Sequence, residues 1–211
     1  MQAVLVDLDE TLYAPGDALI QTVDRRITAF IAWRVGLPWD RADLMRRDLW
    51  IEFGTTARGL NRLFDIDPRE VYRFAVDAVD PSLHLVLDQT VGEALRRISA
   101  PRYVFTNASR GYAERVLETL GIASCFDGIF SIESCFYNPK PTPICYRRIL
   151  STLGLDGERV AFLDDNPNNF APALALGMTC VQVGERGGAP EGVSRVARFQ
   201  DVPDVLSSLG F

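Results

Sequence analysis

The segment VDLDETLY, residues 6–13, places two carboxylates directly after a short apolar run. The run AVLV, residues 3–6, is typical of a buried parallel strand that ends in a polar loop. Asp7 and Asp9 lie two positions apart, and such positions face the same side of an extended backbone. Two carboxylates in one crevice repel each other unless a cation or a proton separates them. They are candidates for a metal ligand or nucleophile and for an acid–base group; two solvated acids in a polar loop are the alternative.

Similar apolar runs recur along the chain and alternate with segments of helical periodicity. The runs are RYVFT at 102–106, RVAFL at 159–163 and TCVQV at 179–183. The segments between them include RGYAERVLETL and PTPICYRRILSTL. Strands that alternate with helices of about 10–15 residues are typical of parallel sheets. The sequence thus predicts an α/β fold, a Rossmann-like parallel sheet with helices on both faces.

The stretch from residue 16 to residue 87 departs from this alternation, because it shows helical spacing and no convincing strand. Its helical segments are 17–35, 40–53 and 68–79. The sequence therefore predicts a core of residues 1–15 and 88–211, with a helical domain of residues 16–87 inserted after the first strand. The two connecting segments, 12–17 and 86–90, are predicted to act as hinges.

The composition excludes several kinds of site. The chain has 211 residues, with Lys+Arg 22, Asp+Glu 28 and a formal net charge of -6. This acidic balance argues against nucleic-acid binding, which usually needs a basic face. Lys140 is the only lysine and His84 the only histidine. A histidine-rich metal site is therefore excluded, and a lysine Schiff base can form at one position alone.

Membrane segments and cysteine motifs are not evident in the sequence. No apolar run approaches the ~18–20 residues that cross a bilayer, and the start MQAVLVDLDE does not have the pattern of a signal peptide. The four cysteines form no C-x-x-C pair, which disfavours a zinc ribbon or a redox motif. These observations predict a cytoplasmic protein with reduced thiols and no membrane partner.

The segment VFTNAS, residues 104–109, follows another predicted strand. Thr106 offers a hydroxyl, and the turn after it opens backbone N–H groups toward the next helix, an arrangement that binds anions. A helix N-cap at Asn107 or Ser109 explains the same residues, and the two roles are compatible.

The segment NPKPTP, residues 138–143, presents Lys140 between two prolines that stiffen the loop. An ammonium is a point charge with three rotatable donors. It fits between a phosphate oxygen and a carboxylate in a way that a planar guanidinium does not. A surface lysine at a helix start is the alternative, and arginine at every other basic position weakens it.

The segment AFLDDNPNN, residues 161–169, ends a predicted strand with Asp164 and Asp165. Adjacent buried acids suit a hard cation such as Mg²⁺, which prefers carboxylate oxygen. The alternative is that Asp165 or Asn166 caps a helix that starts near Pro167.

The motifs D-x-D, T-N, K and D-D follow one another in this order, and each is expected at the end of a predicted strand. The set closely resembles that of the haloacid dehalogenase-like (HAD) superfamily of phosphohydrolases. The resemblance covers the whole chain, and the helical block of residues 16–87 looks like the type C1 cap of that superfamily. It implies phosphoryl transfer through an aspartyl-phosphate, with Mg²⁺ as the cofactor and a small phosphorylated substrate as the partner.

The resemblance also implies a role for each motif residue. Asp7 would be the nucleophile, and Asp9 the acid–base group, whose backbone carbonyl would also ligate Mg²⁺. Thr106 and the N–H of Asn107 would bind the phosphoryl oxygens, and Lys140 would neutralise the phosphate and steady Asp7.

The fourth motif would complete the metal site. Asp165 would ligate Mg²⁺ together with Asp7, and Asp164 would do so directly or through water. Asn169, in the helix turn beyond, would support these ligands from behind.

The segment WIEFGTTARGL, residues 50–60, resembles a stretch of the pyrimidine 5′-nucleotidase-like branch of the superfamily. The resemblance implies that Arg58 contacts the sugar, the base or a second anion of the substrate. Phe53 and Trp50 either stack on the substrate or form core, and Tyr13 is expected to line the entrance.

The predicted function is Mg²⁺-dependent hydrolysis of a phosphomonoester, with a nucleoside monophosphate as substrate. A phosphatase or mutase for a small sugar phosphate or phosphoglycolate is an alternative, and so is a non-catalytic binding protein with this fold. Dehalogenation is disfavoured because dehalogenases of the superfamily lack the acid at the position of Asp9. Phosphonate hydrolysis is disfavoured because residues 16–87 contain no lysine for a Schiff base.

Overall fold

The computed structural model of the chain describes residues 2–14 and 18–210, and its strands form one parallel sheet. The strands are β1 (Ala3–Val6), β2 (Arg102–Phe105), β3 (Gly128–Phe130), β4 (Val160–Asp164), β5 (Thr179–Val183) and β6 (Val193–Val196). Their order is β3-β2-β1-β4-β5-β6, and every neighbouring pair is parallel. The predicted α/β fold is confirmed.

β1 lies in the middle of the sheet, and all of its side chains are apolar and buried. Val4 and Val6 enter one apolar cluster, whereas Ala3 and Leu5 enter a second cluster on the opposite face. Burial on both faces explains why the strand reads as a continuous apolar run and not as an alternating one.

The register of the sheet brings the chemistry-bearing segments to one edge. Val6 of β1 pairs with Val104 of β2 and with Leu163 of β4. Asp7 therefore leaves the sheet beside Asp164, which is the next residue after Leu163. Ligands of open parallel sheets bind at this carboxyl edge.

Helices surround the sheet and fill the long connection between β1 and β2. The α-helices of the described residues are α1 (Ala18–Val35), α2 (Trp39–Phe53), α3 (Thr56–Phe64), α4 (Pro68–Val71), α5 (Gln89–Arg97), α6 (Arg110–Thr119), α7 (Pro143–Leu153), α8 (Phe170–Leu174) and α9 (Val202–Ser208). A π-helical turn, Tyr72–Val76, continues α4. Short 3₁₀ turns are Pro81–Leu83, Ala123–Cys125, Ile132–Cys135, Gly157–Arg159, Pro167–Asn169 and Phe199–Asp201. None of the helices in the described part of the chain has the length and apolarity to cross a membrane.

Most helices match the predicted segments, and two elements were not anticipated. The predicted helix over 68–79 is divided into α4 and a π-helical turn. α3 begins within the segment 50–60 and continues to Phe64, and no helix was predicted there. β3 has three half-buried residues and begins with glycine, so it carries little strand signal.

The connection from β1 to β2 contains the helical insertion, which we define as residues 18–83. Its helices pack closely because Gly59 has no side chain: a Cβ there would lie 2.8 Å from the side chain of Leu49. Thr55 begins α3 by accepting a hydrogen bond from the Arg58 N–H at 3.3 Å. The insertion is thus a group of packed helices that lies between β1 and β2 in the chain.

The predicted domain boundaries fall close to the ends of this insertion. Part of the predicted hinge 12–17, namely residues 15–17, lies outside the described residues. The division into 1–15 with 88–211 and 16–87 therefore stays a prediction.

A substitution at Gly157 tests the close contact between the turn that precedes β4 and the backbone of Leu176. A Cβ on Gly157 would lie 1.8 Å from the carbonyl oxygen of Leu176, a backbone atom that cannot rotate away. Gly157→Ala is expected to lower the free energy of unfolding by about 1–3 kcal/mol, measured by urea denaturation. Gly188→Ala is the control, because a Cβ at Gly188 meets nothing within 4 Å. Equal stability of the two variants would contradict the close approach.

Candidate active site

Lys140 lies at the centre of the carboxyl edge, and its side chain is 1% exposed. Its Nζ donates to Asp7 Oδ1 at 2.6 Å and to Asp164 Oδ2 at 2.7 Å. The third hydrogen bond goes to the carbonyl oxygen of Phe105, at 2.8 Å. An ammonium has three protons, so each one has an acceptor.

The surroundings of Lys140 keep it charged. Burial lowers the pKa of this ammonium, but the carboxylates of Asp164 and Asp7 outweigh that effect and raise its pKa above the ordinary value. The rings of Phe105 and Phe162 lie 4.9 and 5.4 Å from Nζ, within the range of cation–π attraction. The space around Nζ is bounded by three acceptors and two aromatic rings, and it leaves little room for the larger guanidinium of an arginine.

Asn107 fixes the loop that carries Lys140. Its Oδ1 accepts from the Lys140 N–H at 2.7 Å, and its Nδ2 donates to the Lys140 carbonyl at 3.1 Å. The hydroxyl of Tyr72, in the helical insertion, donates to the Asn107 carbonyl at 2.8 Å. The sequence motif pointed to the Asn107 backbone, whereas the side chain has a positional function that no local pattern reveals.

Thr106 follows β2 at the same edge and is buried. Its Oγ1 accepts a hydrogen bond from the Ala108 N–H at 3.0 Å, so the hydroxyl proton is left to donate. Ser109 occupies the N-cap position of α6, but its hydroxyl makes no cap bond and donates to Asp77 of the insertion. Ser109 therefore occupies the predicted N-cap position, but its side chain does not cap the helix.

Asp164 and Asp165 differ in their partners. Asp164 is fully buried, and besides Lys140 it accepts from the Asn166 N–H at 2.8 Å and from Asn169 Nδ2 at 2.9 Å. Asp165 Oδ2 accepts from Arg186 at 2.8 Å. Burial, with a further contribution from the Asp164 charge, raises the pKa of Asp165 to about 6. The 3₁₀ turn Pro167–Asn169 begins where a helix start was expected. The side chain of Asn166 caps it by accepting a hydrogen bond from the Asn168 N–H.

Asp9 is surrounded by hydroxyl groups and not by a cation. Its Oδ1 accepts from the Tyr13 hydroxyl at 2.5 Å and from the Tyr112 hydroxyl at 3.1 Å. Burial raises the pKa of the Asp9 carboxyl to about 6, although the two hydrogen bonds lower it. Tyr112 comes from α6, and the sequence offered no signal that it faces Asp9.

Three carboxylates form a group that fits a divalent cation. Asp7, Asp164 and Asp165 each offer an oxygen, and these oxygens all lie within 4.8 Å of one another. Oxygen-only ligands suit Mg²⁺. Burial, opposed by the charge of Lys140, raises the pKa of Asp7 well above its ordinary value. Three carboxylates face the two positive charges of Lys140 and Arg186, and this excess of acids suits a further cation.

A cavity of about 480 Å³ opens above this edge and extends between the core and the insertion. The motif residues Asp7, Asp9, Thr106, Asn107 and Lys140 line one part of it. The remaining wall is mainly apolar and comes largely from the insertion. It includes Ile20, Val23, Ile27, Trp50, Ile51, Val71, Tyr72 and Val76, with Asp24 and Arg46 among them.

Three residues were predicted to contact the substrate from outside the motifs, and none of them lines this cavity. They are Arg58, Phe53 and Tyr13. Arg58 donates to the Thr142 hydroxyl, which ties α3 to the start of α7. Phe53 is half-buried and packs against the apolar core, and Tyr13 lies against the core with its hydroxyl on Asp9. Trp50, in contrast, is a lining residue.

A model of the haloacid dehalogenase-like hydrolases matches residues 1–177. The chain belongs to this family. Phosphate metabolism protein 8 of Saccharomyces cerevisiae is 28% identical over 189 residues, which make up 82% of this chain and 58% of the yeast protein. A phosphoglycolate phosphatase of Rhodospirillum rubrum is 28% identical over 235 residues, covering 100% of this chain and 91% of that protein.

A solved structure has the same fold. CbbY of Rhodobacter sphaeroides, determined in complex with phosphate, has a TM-score of 0.70 at 20% identity, and the match covers 96% of each chain. The family hydrolase fold thus extends over both the sheet and the helical insertion.

Lys140 offers a direct test of the buried charge arrangement. Lys140→Met leaves Asp7 and Asp164 without their cation, and removal of one partner of a buried ion pair costs about 3–5 kcal/mol. The expected result is a loss of that size in the free energy of unfolding at neutral pH, measured with denaturant. Arg147→Met is the control, because it removes a positive charge from the exposed face of α7. A stability like that of the wild type in Lys140→Met would contradict the geometry.

Proposed function

We propose that the protein is a Mg²⁺-dependent phosphomonoester hydrolase that acts through an aspartyl-phosphate on Asp7. The observation that carries the proposal is the contrast between two neighbouring carboxylates. Asp7 is paired with the Lys140 ammonium, whereas Asp9 lies under two tyrosine hydroxyls with a pKa of about 6. A carboxylate in direct contact with a fixed cation suits a nucleophile, and a neighbouring carboxyl that titrates near neutrality and contacts hydroxyl groups suits proton transfer.

In the proposed reaction an oxygen of Asp7 attacks phosphorus, and the bond to the leaving oxygen breaks while Asp9 gives that oxygen its proton. Asp9 then takes a proton from water, the water oxygen attacks phosphorus, and the Asp7 carboxylate is released. The Thr106 hydroxyl and the Asn107 N–H bind the phosphoryl oxygens. Lys140 holds Asp7 in place and neutralises charge, which is the main requirement of phosphoryl transfer.

The residues that would hold Mg²⁺ are Asp7, Asp165, the carbonyl of Asp9 and Asp164. Bound there, the cation would offset the charge that the phosphoryl group brings beside these acids. Both oxygens of Asp164 already accept hydrogen bonds, which favours contact through water for this residue.

A nucleoside monophosphate is the substrate that we propose. The apolar wall contributed by the insertion, with Trp50 in it, suits the flat face of a nucleoside base. Asp24 and Arg46 form an ion pair at 2.9 Å within that wall and offer an acceptor and donors to a base or sugar. On this proposal residues 16–87 act as a C1-type cap, and Arg58 reaches the substrate if the cap moves away from Thr142.

A small phosphate such as phosphoglycolate is a second candidate. Relatives in Rhodospirillum rubrum and Neisseria gonorrhoeae are named as phosphoglycolate phosphatases. The cavity volume of about 480 Å³ argues for a larger leaving group, so we rank this substrate second.

Metal removal tests the proposed chemistry. The hydrolysis of p-nitrophenyl phosphate is expected to disappear in EDTA and to return with added Mg²⁺. Asp7→Asn is expected to be inactive at every Mg²⁺ concentration, because an amide is a poor nucleophile. Asp127→Asn is the matched control, because Asp127 lies outside the cavity. Full activity in EDTA would refute the metal requirement, and an active Asp7→Asn variant would refute the nucleophile.

The type of substrate is tested by filling the apolar wall. Val23→Phe is expected to lower kcat/KM for nucleoside monophosphates by about 10-fold or more, because added volume excludes a large leaving group. Hydrolysis of phosphoglycolate by the same variant is expected to change little. Val86→Phe is the control, since Val86 is 82% exposed and does not line the cavity. An unchanged kcat/KM for nucleotides in Val23→Phe would argue against this substrate class.

A further inference from the structure

Arg186 contacts the carboxylate cluster from a loop outside the four motifs. It follows β5 in the glycine-rich segment 184–192, and its Nη1 donates to Asp165 Oδ2 at 2.8 Å and to Glu10 Oε2 at 3.0 Å. Both carboxylates are far more buried than the guanidinium, with side-chain exposures of 8% for Asp165 and 17% for Glu10 against 44% for Arg186. The arginine therefore lies on the more exposed side of Asp165 and Glu10.

The backbone of Arg186 is also held. Gln182 in β5 is completely buried, and its Nε2 donates to the Arg186 carbonyl at 2.5 Å. The same Nε2 lies 3.4 Å from the carbonyl oxygen of Asp165. A core strand thus fixes the loop relative to the residue that the guanidinium contacts.

A third contact joins Arg186 to the helical insertion. Its guanidinium carbon lies 5.5 Å from the ring centroid of Trp50 in α2, within the range of cation–π attraction. Asp165, Glu10 and Trp50 come from three separate parts of the chain, and together they define one position for this side chain.

We propose that Arg186 is a positioning residue for the metal site: by binding Asp165 Oδ2 it orients that carboxylate so that Oδ1 is presented to the cation. This inference rests on the Mg²⁺ site of the proposed function. Mg²⁺ demands near-ideal octahedral geometry, so a ligand that rotates freely binds it poorly. Groups that orient metal ligands typically change metal affinity about 10- to 100-fold when removed.

The charge of Arg186 acts in the opposite direction, because a cation near the site repels Mg²⁺. Since the guanidinium is nearly half exposed, solvent screens this repulsion. The orientation of Asp165 is not screened, and it decides the sign of the effect: removal of Arg186 weakens metal binding.

The test is isothermal titration of the full chain with Mg²⁺ alone. Arg186→Gln is expected to raise the Kd by about 10-fold or more relative to the wild type. Arg195→Gln is the matched control: Arg195 donates to the Gly184 carbonyl in the same loop and touches no carboxylate of the cluster. Its Kd is expected to stay within about twofold of the wild-type value. The melting temperature of each variant is measured first, so that only folded proteins are compared.

A second measurement uses Trp50, the ring that contacts the Arg186 guanidinium. If Arg186 only stabilises the fold, the loss of this ring leaves the Mg²⁺ Kd unchanged. Trp50→Leu is expected to raise the Mg²⁺ Kd by a smaller factor, because it removes one of the contacts that hold the guanidinium. The double variant is expected to bind no more weakly than Arg186→Gln alone, since residues that act through one another are not additive. Additive losses would overturn the role of Trp50 in holding Arg186.

The outcomes separate this inference from the proposed function. If the folded wild type does not bind Mg²⁺, the metal site fails and the inference fails with it. If the wild type binds Mg²⁺ and Arg186→Gln binds it equally well or more tightly, the positioning role is wrong while the metal site stands.

Discussion

The buried ammonium of Lys140 is the interaction on which the rest of the site depends. Asp7 follows β1 and Asp164 ends the neighbouring strand β4, so two buried carboxylates lie side by side, where an unpaired charge is very costly. Lys140 lies between them, and its ammonium donates a third hydrogen bond to the carbonyl oxygen of Phe105. A loop and not a strand supplies this cation. The loop must therefore be held as firmly as the sheet, which Asn107 achieves through two hydrogen bonds to the backbone of Lys140.

Stability alone does not account for such an arrangement. A buried ion pair often contributes no more than well-packed apolar residues of the same volume would, and the apolar clusters on both sides of the sheet already supply a core. A fixed positive charge beside Asp7 is useful chemically, because it opposes the effect of burial on that carboxyl and offsets the charge of a phosphoryl group, whereas the side chain of Asp9 contacts two tyrosine hydroxyls. The proposed division of labour between nucleophile and acid follows from this difference in surroundings.

Local patterns predicted β1, β2, β4 and β5 and the edge at which the motifs meet, because a strand buried on both faces is a continuous apolar run and parallel strands share one carboxyl edge. The partners of the motif residues were less predictable. Asn107 bonds a residue 33 positions away, Tyr112 bonds Asp9 over 103 positions, and Arg186 bonds Asp165 over 21 positions. Periodicity describes near neighbours only, so none of these contacts leaves a local signal. The glycine-rich loop was visible in the sequence, but not the carboxylate that its arginine would contact.

The sequence by itself determined the parallel α/β sheet and predicted that the motif residues share one edge of it, since strand pattern and strand direction are local properties. Only the tertiary structure decided which cation meets which carboxylate and which side chains face the cavity. Trp50 lines the cavity, whereas Phe53, only three residues further along the same helix, packs into the core. Their positions depend on how α2 lies against α3 and on how the insertion lies over the sheet. Those are packing relations between segments distant in the chain, and no spacing within one segment specifies them.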